Sequence, residues 1–454
     1  MKEKKLFGTN GVRGLINDTM TVDLVLNLSK AIGTVLGPGK VVVGRDARKG
    51  GEMFARAAIS GLLSTGCSVI DIGPAPTPTL QFVIPRLDCI AGIIVTASHN
   101  PAEFNGIKVM SATGIEVSRE CERKIESVLR SGSYTIADWQ NIKSVTSEKT
   151  AIRQHIDGIM SHIDAEAIKG RNLTVIVDSA NSVGALVTPT LMRELGCKVV
   201  SLNSQLDGSF PGRPPEPSPE NVVELLRTMK SVGADIGIAH DGDADRATFV
   251  DENGTVVSGD QSLAIIASRI LSMKKGSVLV TPVSSGKLIE DIVENAGGTI
   301  DWTVVGSVDV SHRVGEIGAD LGGEENGGIF YPPHQSVRDG SMTSALLVDI
   351  MVKEGKSLAE LVQELPVYYT TKRKMKIPAE KMEFLMATLL DMTKDQNRIT
   401  IDGIKIFRDT GWILIRPSGT EPIYRCFSEG PTQEKSDMLC DEGMSLIEKA
   451  LTQS

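Results

Sequence analysis

No stretch of this 454-residue chain approaches about 20 consecutive apolar residues, so a membrane span is not expected. The opening MKEKKLFGTNGVRG is basic but has none of the apolar run of a signal peptide. The six cysteines, at 67, 89, 121, 197, 426 and 440, form no CxxC and are scattered among apolar neighbours. That pattern reads as reduced structural thiols in a cytoplasmic protein. Positive charge is in deficit as well: 48 Lys and Arg against 57 Asp and Glu leave a net charge of −9, which argues against a general nucleic-acid binder. An anionic small substrate is still allowed, because a few arginines can dominate a cleft.

What is present is an ordinary α/β composition, 41% hydrophobic with 45 glycines, in a chain too long for one compact core. An internal repeat organises it. KVVVGRD (40–46) is followed by GCSVIDIG (66–73), LTVIVDSAN (173–181) by GCKVVSLN (196–203), and GSVLVTPVSS (276–285) by AGGTIDWTVV (296–305). Helical patterns lie between them at 52–63, 184–195 and 287–296. Strand, helix and Gly-led strand make a βαβ unit, and right-handed crossovers make a parallel sheet of it. Each copy then supplies a third strand with a polar exit: AGIIVTASHNP (91–101), ADIGIAHDGDADR (234–246) and GADLGGEENGG (318–328). Ligands in open α/β sheets bind outside the carboxyl ends of strands, so three homologous domains each aim one chemical loop into a shared cleft.

After about residue 366 the pattern changes. GIKIFRDTGWILIRPSGTEPIYRCF alternates around the turn Asp409-Thr410-Gly411, and an amphipathic helix follows over 432–451. The expected fold is therefore α/β: three tandem homologous α/β domains with mixed, mostly parallel sheets, plus a C-terminal α+β lid domain, around a central cleft. The expected domains are 1–150, 151–252, 253–366 and 367–454.

In DGDADR, Asp241, Asp243 and Asp245 alternate and Arg246 follows at once. Three carboxylates so close repel, and a divalent cation with a taste for hard oxygen, Mg²⁺ or Ca²⁺, relieves the cost. An EF-hand is ruled out because Arg246 stands where its sixth-position glycine belongs. Ser98 and His99 are adjacent, and on an extended segment their side chains point apart, which excludes a protease-like dyad. Ser98 can still carry a phosphoryl group if a metal and cations such as Lys108 and Arg13 neutralise it. A lysine lowered in pKa by neighbouring cations can also serve as acid or base.

RPSGTEP (416–422) joins Arg416 to two hydroxyls and a flexible Gly419, with Arg425 beyond, a cradle for a phosphate dianion. It is not a P-loop, since no GK[ST] follows. In GEENGG, Glu324 accepts hydrogen bonds from sugar hydroxyls while the Asn326 amide both donates and accepts. Asn326 can thus offer its carbonyl to a hydroxyl or an ammonium, and Glu325 adds a carboxylate that favours a cation.

Taken in order, FGTNGVRG, TASHNP, DGDADR, GEENGG and RPSGTEPIYR resemble five motifs of the α-D-phosphohexomutase family, over nearly the whole chain. The resemblance implies a cytoplasmic phosphotransferase of the isomerase class that interconverts hexose 6-phosphate and 1-phosphate through a bisphosphate. Ser98 is then the phosphoserine, and Ser98, Asp241, Asp243 and Asp245 hold one Mg²⁺ per chain. Arg13, His99 and Lys108 border the reaction centre. Arg246, Glu324 and Asn326 face the sugar, and Arg416, Ser418, Gly419, Thr420 and Arg425 hold the non-reacting phosphate. It further implies a hexose 1,6-bisphosphate primer and a small-molecule hexose phosphate as partner. No nucleic acid or membrane is implied, and the assembly is a monomer or homodimer.

Two departures touch the sugar. Asn326 stands where many members carry Ser, and Ser307 stands where bacterial phosphoglucosamine mutases have the Asp of a VGD element. Glucosamine phosphate is the leading substrate on the N-terminal motif and length, with glucose and mannose phosphates as the alternative. A haloacid-dehalogenase-like phosphatase with Asp241 as nucleophile leaves Ser98, GEENGG and RPSGTEP unexplained. A non-catalytic sugar-phosphate sensor would not need to keep Ser98 and the whole Asp triad.

Overall fold

A computed structural model describes residues 5–418 and 422–453. Its first three sheets share one build. In the first, Lys40–Arg45 runs parallel to both Ser68–Pro74 and Ala91–Val95. The same central place is held by Thr174–Asp178, between Lys198–Leu202 and Ile236–His240, and by Val278–Pro282, between Thr299–Thr303 and Leu321–Gly323. These central strands are near-continuous β-branched runs because helices cover both faces.

The chain then doubles back in each copy. Ala91–Val95 pairs antiparallel with Phe104–Ser111, Ile236–His240 with Ala247–Val250, and Leu321–Gly323 with Ile329–Tyr331. The three polar exits are therefore hairpin connections in equivalent places, and the returning strand is what makes each sheet mixed. At the edge of the first sheet Val12–Leu15 pairs with Phe104–Ser111, setting Arg13 opposite Gly106. A β-carbon at Gly106 would lie 2.4 Å from the Val12 carbonyl oxygen, so only glycine lets that strand close in and carry Arg13 to the site.

The second and third sheets are joined by one continuous apolar core. The helix Gly340–Glu354 crosses between them and is buried on nearly every face through its first twelve residues. That is why GSMTSALLVDIM has no polar stripe. The last sheet is antiparallel throughout, in the order Tyr369–Lys376, Ile423–Gly430, Gly411–Pro417, Ile404–Arg408, Arg398–Ile399, and is backed by the helix Gln433–Thr452. Among the described residues, no helix is long and apolar enough to cross a membrane.

This last domain docks on the third through a buried ammonium. Lys405 Nζ donates to the Ser285 carbonyl at 2.8 Å and to Glu290 at 3.2 Å, and lies 4.1 Å from the Trp302 ring centre and 4.8 Å from that of Trp412. Aromatic faces compensate for the water such a cation loses. Glu429 accepts from the Lys287 amide and, at 3.2 Å, from Trp412 Nε1.

Nearby, Asp260 sits in the first turn of the helix Gly259–Ser272 with Oδ1 buried and unbonded. Burial, with Glu325 and Glu429 adding to it, pushes its carboxyl up to about 7. A pKa raised on folding means that the folded protein binds this proton more tightly. The contribution is therefore fully present below the ordinary carboxylate range and is lost as pH rises through about 7. Asp260→Asn is expected to exceed the wild type in stability by about 2–4 kcal/mol at pH 8, the gain vanishing towards pH 4. Urea denaturation at both pH values checks this, and a gain independent of pH would refute it.

Candidate active site

The site begins with an irregular backbone. Ala91–Val95 is wholly buried, and three residues beyond it Ser98 adopts φ 51°, a left-handed conformation unusual for serine. A buried arginine that the sequence reading passed over holds this turn. Arg48 donates to the carbonyl oxygens of Ser98 (2.6 Å), Asn100 (2.5 Å), Pro101 (2.6 Å) and Phe104 (3.0 Å). Its own charge is met by Asp46, which also accepts from Thr96 Oγ1 at 2.6 Å. The signal was available: GRDAR is a polar exit from the first strand of the repeat, as TASHNP is from the third.

The left-handed turn corrects one expectation. Ser98 and His99 do not point apart, since Ser98 Oγ lies 3.4 Å from His99 Nδ1. No dyad results, because Ser98 Oγ donates instead to Asp241 Oδ2 at 2.9 Å, and Arg246 Nη2 donates to His99 Nδ1 at 2.8 Å. Burial, helped by the Arg246 charge, brings the His99 imidazole down to about 4, so it is neutral near pH 7 with its proton on Nε2.

The metal loop packs against the Ser98 turn backbone to backbone. A β-carbon at Gly242 would stand 2.3 Å from the Ser98 carbonyl oxygen, so a glycine here permits the approach. The helix Thr77–Val83 fixes the loop further, with Thr77 Oγ1 donating to Asp243 Oδ2 at 2.6 Å. All three aspartates are buried, and each can turn an oxygen to a common point, the three atoms lying within 4.8 Å of one another. Asp243 Oδ1 and Asp245 Oδ1 have no hydrogen-bond partner. Two unmatched carboxylate oxygens in a set of hard donors fit a Mg²⁺-class ion.

Lys108 reaches the same carboxylates from the first domain, 2.6 Å from Asp243 Oδ2 and 3.1 Å from Asp245 Oδ2. Burial alone would lower its pKa, but Asp243 and Asp245 outweigh burial and the net direction is up. The expectation of a lysine depressed by neighbouring cations therefore fails, because two anions hold it. Burial, opposed by Arg246, carries Asp241 up to about 7. For Asp243 and Asp245 burial is overcome, chiefly by Lys108 at the first and Arg338 at the second, and both fall.

Above this layer opens a cleft of about 470 Å³, lined among others by Arg13, Ser98, His99, Arg246, Glu324 and Asn326. Arg13 donates to Asn100 Oδ1 at 2.7 Å, and Arg246 pairs with Glu216 and Asp241. Glu324 is held by Arg338, whose guanidinium joins the GEENGG loop to the DGDADR loop, 3.1 Å from Glu324 Oε2 and 2.5 Å from Asp245 Oδ2. Arg338 was visible in the charged pair Arg338-Asp339 that precedes a long apolar helix. Glu216, in the proline-rich PPEPSPE, left no such trace.

Asn326 lines the cleft, and its Oδ1 accepts from the Gly328 amide at 3.0 Å, so one of its carbonyl lone pairs is used within the loop. Glu325 accepts from Ser284 at 3.0 Å and is not among the groups that line the cleft. Ser307 is engaged by Asn10 Nδ2 at 3.1 Å, which ties FGTNGVRG to the third domain.

The remaining candidates lie on the last domain. Arg416 and Arg425 face one another directly on neighbouring strands, and Lys374 stands opposite Arg425 on the next. Like charges so placed repel, and an anion between them relieves it. Arg416 donates to Asp402 Oδ2 at 2.6 Å, and the same oxygen accepts from the Val305 amide at the cleft rim at 3.1 Å. Arg416 Nε is buried and unbonded. Ser418 ends this strand, with its amide donating to the Ile423 carbonyl at 2.9 Å, and Gly419 and Thr420 lie outside the described residues.

Comparison with known proteins gives a consistent picture. Family models for phosphoglucomutase/phosphomannomutase match in series: alpha/beta/alpha domain I over residues 4–135, domain II over 153–254, domain III over 258–369 and the C-terminal domain over 350–444. The chain is 44% identical over 451 residues to a phosphoglucosamine/phosphogalactosamine mutase of Sulfurisphaera tokodaii, covering 98% of this chain and 99% of that one. It is 44% identical over 453 residues to a phosphoglucomutase/phosphomannomutase of Thermococcus kodakarensis, with 98% and 99% covered. Among solved structures, a phosphoglucomutase/phosphomannomutase family protein of Burkholderia thailandensis superposes with a TM-score of 0.89 at 27% identity, covering 99% of this chain and 98% of that one.

The clamp on the Ser98 turn gives a direct test. Arg48→Lys keeps the charge but cannot serve four carbonyls at once, so kcat is expected to fall about 100-fold through misplacement of the reacting group, with KM little changed. Steady-state kinetics with a circular dichroism control checks this, and wild-type kcat in the variant would refute it.

Proposed function

The chain belongs to the phosphoglucomutase/phosphomannomutase family, and on that footing we propose that it interconverts hexose 6-phosphates and hexose 1-phosphates through a phosphorylated Ser98. The observation that carries this reading is the placement of Ser98 Oγ. It lies 2.9 Å from a buried triad carboxylate, in a clamped left-handed turn, at the floor of a cleft walled by Arg13, Arg246 and Arg338. A serine so placed donates to a metal-class carboxylate and is ringed by guanidinium groups, which suits phosphoryl transfer better than acyl transfer.

In the first half-reaction a hydroxyl of the sugar monophosphate attacks phosphorus, the P–O bond to Ser98 breaks, and the hydroxyl proton ends on Ser98 Oγ. The resulting 1,6-bisphosphate turns over in the cleft and returns its other phosphate to Ser98, releasing the isomer. A hexose 1,6-bisphosphate primer loads Ser98 at the start. Asp241, Asp243 and Asp245, with Ser98 beside them, would hold one Mg²⁺, which supplies positive charge against the transferring group. Arg13 and Lys108 add charge from the first domain. His99, neutral with its proton on Nε2, is a hydrogen-bond donor to the substrate. Glu324 orients sugar hydroxyls, held in place by Arg338. Arg416 and Arg425, with Ser418, Gly419 and Thr420, take the phosphate that is not reacting, and Asp402 releases Arg416 to it.

We place glucosamine 6-phosphate first among substrates. The amino-sugar activity named for the Sulfurisphaera relative supports this, as does Glu324, the one acidic side chain lining the cleft among the described residues. A second reading, glucose and mannose phosphates, is favoured by Asn326: with its carbonyl already accepting from Gly328, the side-chain NH2 adds a donor, which a hydroxyl can accept and an ammonium cannot.

Two measurements test these readings. Purified protein is expected to carry one phosphate on the peptide containing Ser98, and Ser98→Ala to lose at least about 1000-fold in turnover while melting normally. Near-normal turnover in that variant refutes the phosphoserine route. With primer and Mg²⁺, glucosamine 6-phosphate is expected to give the highest kcat/KM, and a tenfold advantage for a glucose or mannose phosphate would select the second reading.

A further inference from the structure

Away from the cleft, at the seam of the first three domains, lies a second cluster of metal-ligating side chains. We propose that His155, His334 and Asp339 form a site for a borderline divalent ion of the Zn²⁺ class, distinct from the aspartate triad. The three residues are buried, and each offers a donor atom within 4.8 Å of the others. Two imidazoles and one carboxylate are a softer set than three carboxylates, and they choose Zn²⁺ over Mg²⁺.

The roles of the individual atoms support this. Asp339 Oδ1 is spent on the amides of Ser341 and Met342, each at 3.0 Å, capping the helix Gly340–Glu354. Asp339 Oδ2 is the point of convergence, 2.7 Å from His155 Nε2, 3.0 Å from Gln335 Nε2 and 3.4 Å from His334 Nε2. His155 is already turned for ligation. Its Nδ1 lies 2.8 Å from Thr79 Oγ1, the outer hydrogen bond that fixes a ligating imidazole and leaves Nε2 to the ion.

His334 is the independent sign of a ligand. Its side chain is 1% exposed, yet Nδ1 has no hydrogen-bond partner and Nε2 makes only a long contact, 3.4 Å, with Asp339 Oδ2. An imidazole buried with one nitrogen unpartnered and the other poorly paired carries a desolvation cost that a bound ion would relieve. The ring is held by stacking on Phe82, with centroids 4.8 Å apart and planes at 19°, and it also faces a second cleft of about 680 Å³ that gives an ion access. An ion here joins the helix Ala151–Met160 to the turn before Gly340–Glu354, with Thr79 and Phe82 of the first domain packed against both. It would brace the frame that holds the three loops.

The experiment uses full-length protein stripped with chelator and returned to excess Mg²⁺, so that hard-oxygen sites are filled, and then titrated with Zn²⁺. Calorimetry is expected to show one equivalent bound, with a rise in Tm. Co²⁺ in its place should give the visible absorption of a low-coordinate site. His334→Phe keeps the ring on Phe82 and deletes both ring nitrogens. It is expected to melt above the wild type in metal-free buffer, to lose the Zn²⁺-dependent rise, and to bind Zn²⁺ about tenfold more weakly or worse. His155→Gln should lose the rise too, while Asp243→Asn keeps it. The proposal is overturned if the wild type takes up no Zn²⁺ under Mg²⁺, if His334→Phe shows the same Zn²⁺-dependent rise, or if Asp243→Asn alone abolishes it.

Discussion

Lys108 is the interaction on which the site depends. Its ammonium leaves a strand of the first domain and ends between two carboxylates on a hairpin of the second, all three groups out of water. A buried ion pair contributes little net stability, but breaking one is costly, because it strands an uncompensated charge. The pair therefore acts mainly as a register mark: two domains can meet in one way that leaves no charge alone. Arg338 does the same between the second and third domains through Asp245 and Glu324. The triad thus faces two roles at once, holding the domains in register and leaving Asp243 Oδ1 and Asp245 Oδ1 unmatched for an ion.

Much of this was legible in the chain. The repeat, the polar strand exits and the separate last domain follow from periodicity, because apolar runs that leave a sheet can end in four polar residues only at an exposed or chemical edge. DGDADR and TASHNP carried their chemistry openly. Partners were not legible. Arg48 reaches its carbonyls some fifty positions away, Arg338 reaches Asp245 across 93, and Glu216 reaches Arg246 from a loop with no periodicity. No local pattern encodes such pairings. One error had a local cause instead. Ser98 was read as extended when its backbone is left-handed, and the bond from the Gly328 amide to the Asn326 carbonyl left no trace in the sequence.

The last domain is bound by different means. An ammonium in an aromatic box and a carboxylate on a helix amide hold it at one end. At the other, among the described residues, Arg416 meets the cleft rim through Asp402. The first contact is desolvated, while the second is a partly exposed ion pair, 21% accessible at each side chain. The more accessible of the two contacts carries Arg416.

The helix Gly340–Glu354 has a consequence for how the molecule comes apart. Because it is buried between the second and third sheets and both share one apolar core, neither can lose its partner without exposing that helix to water. The second and third sheets thus share one interior, while the first and last have apolar cores of their own. Cuts made between the second and third sheets, whether by protease or by a cloning boundary, sever a single folding unit. Fragments that respect the fusion retain a complete interior.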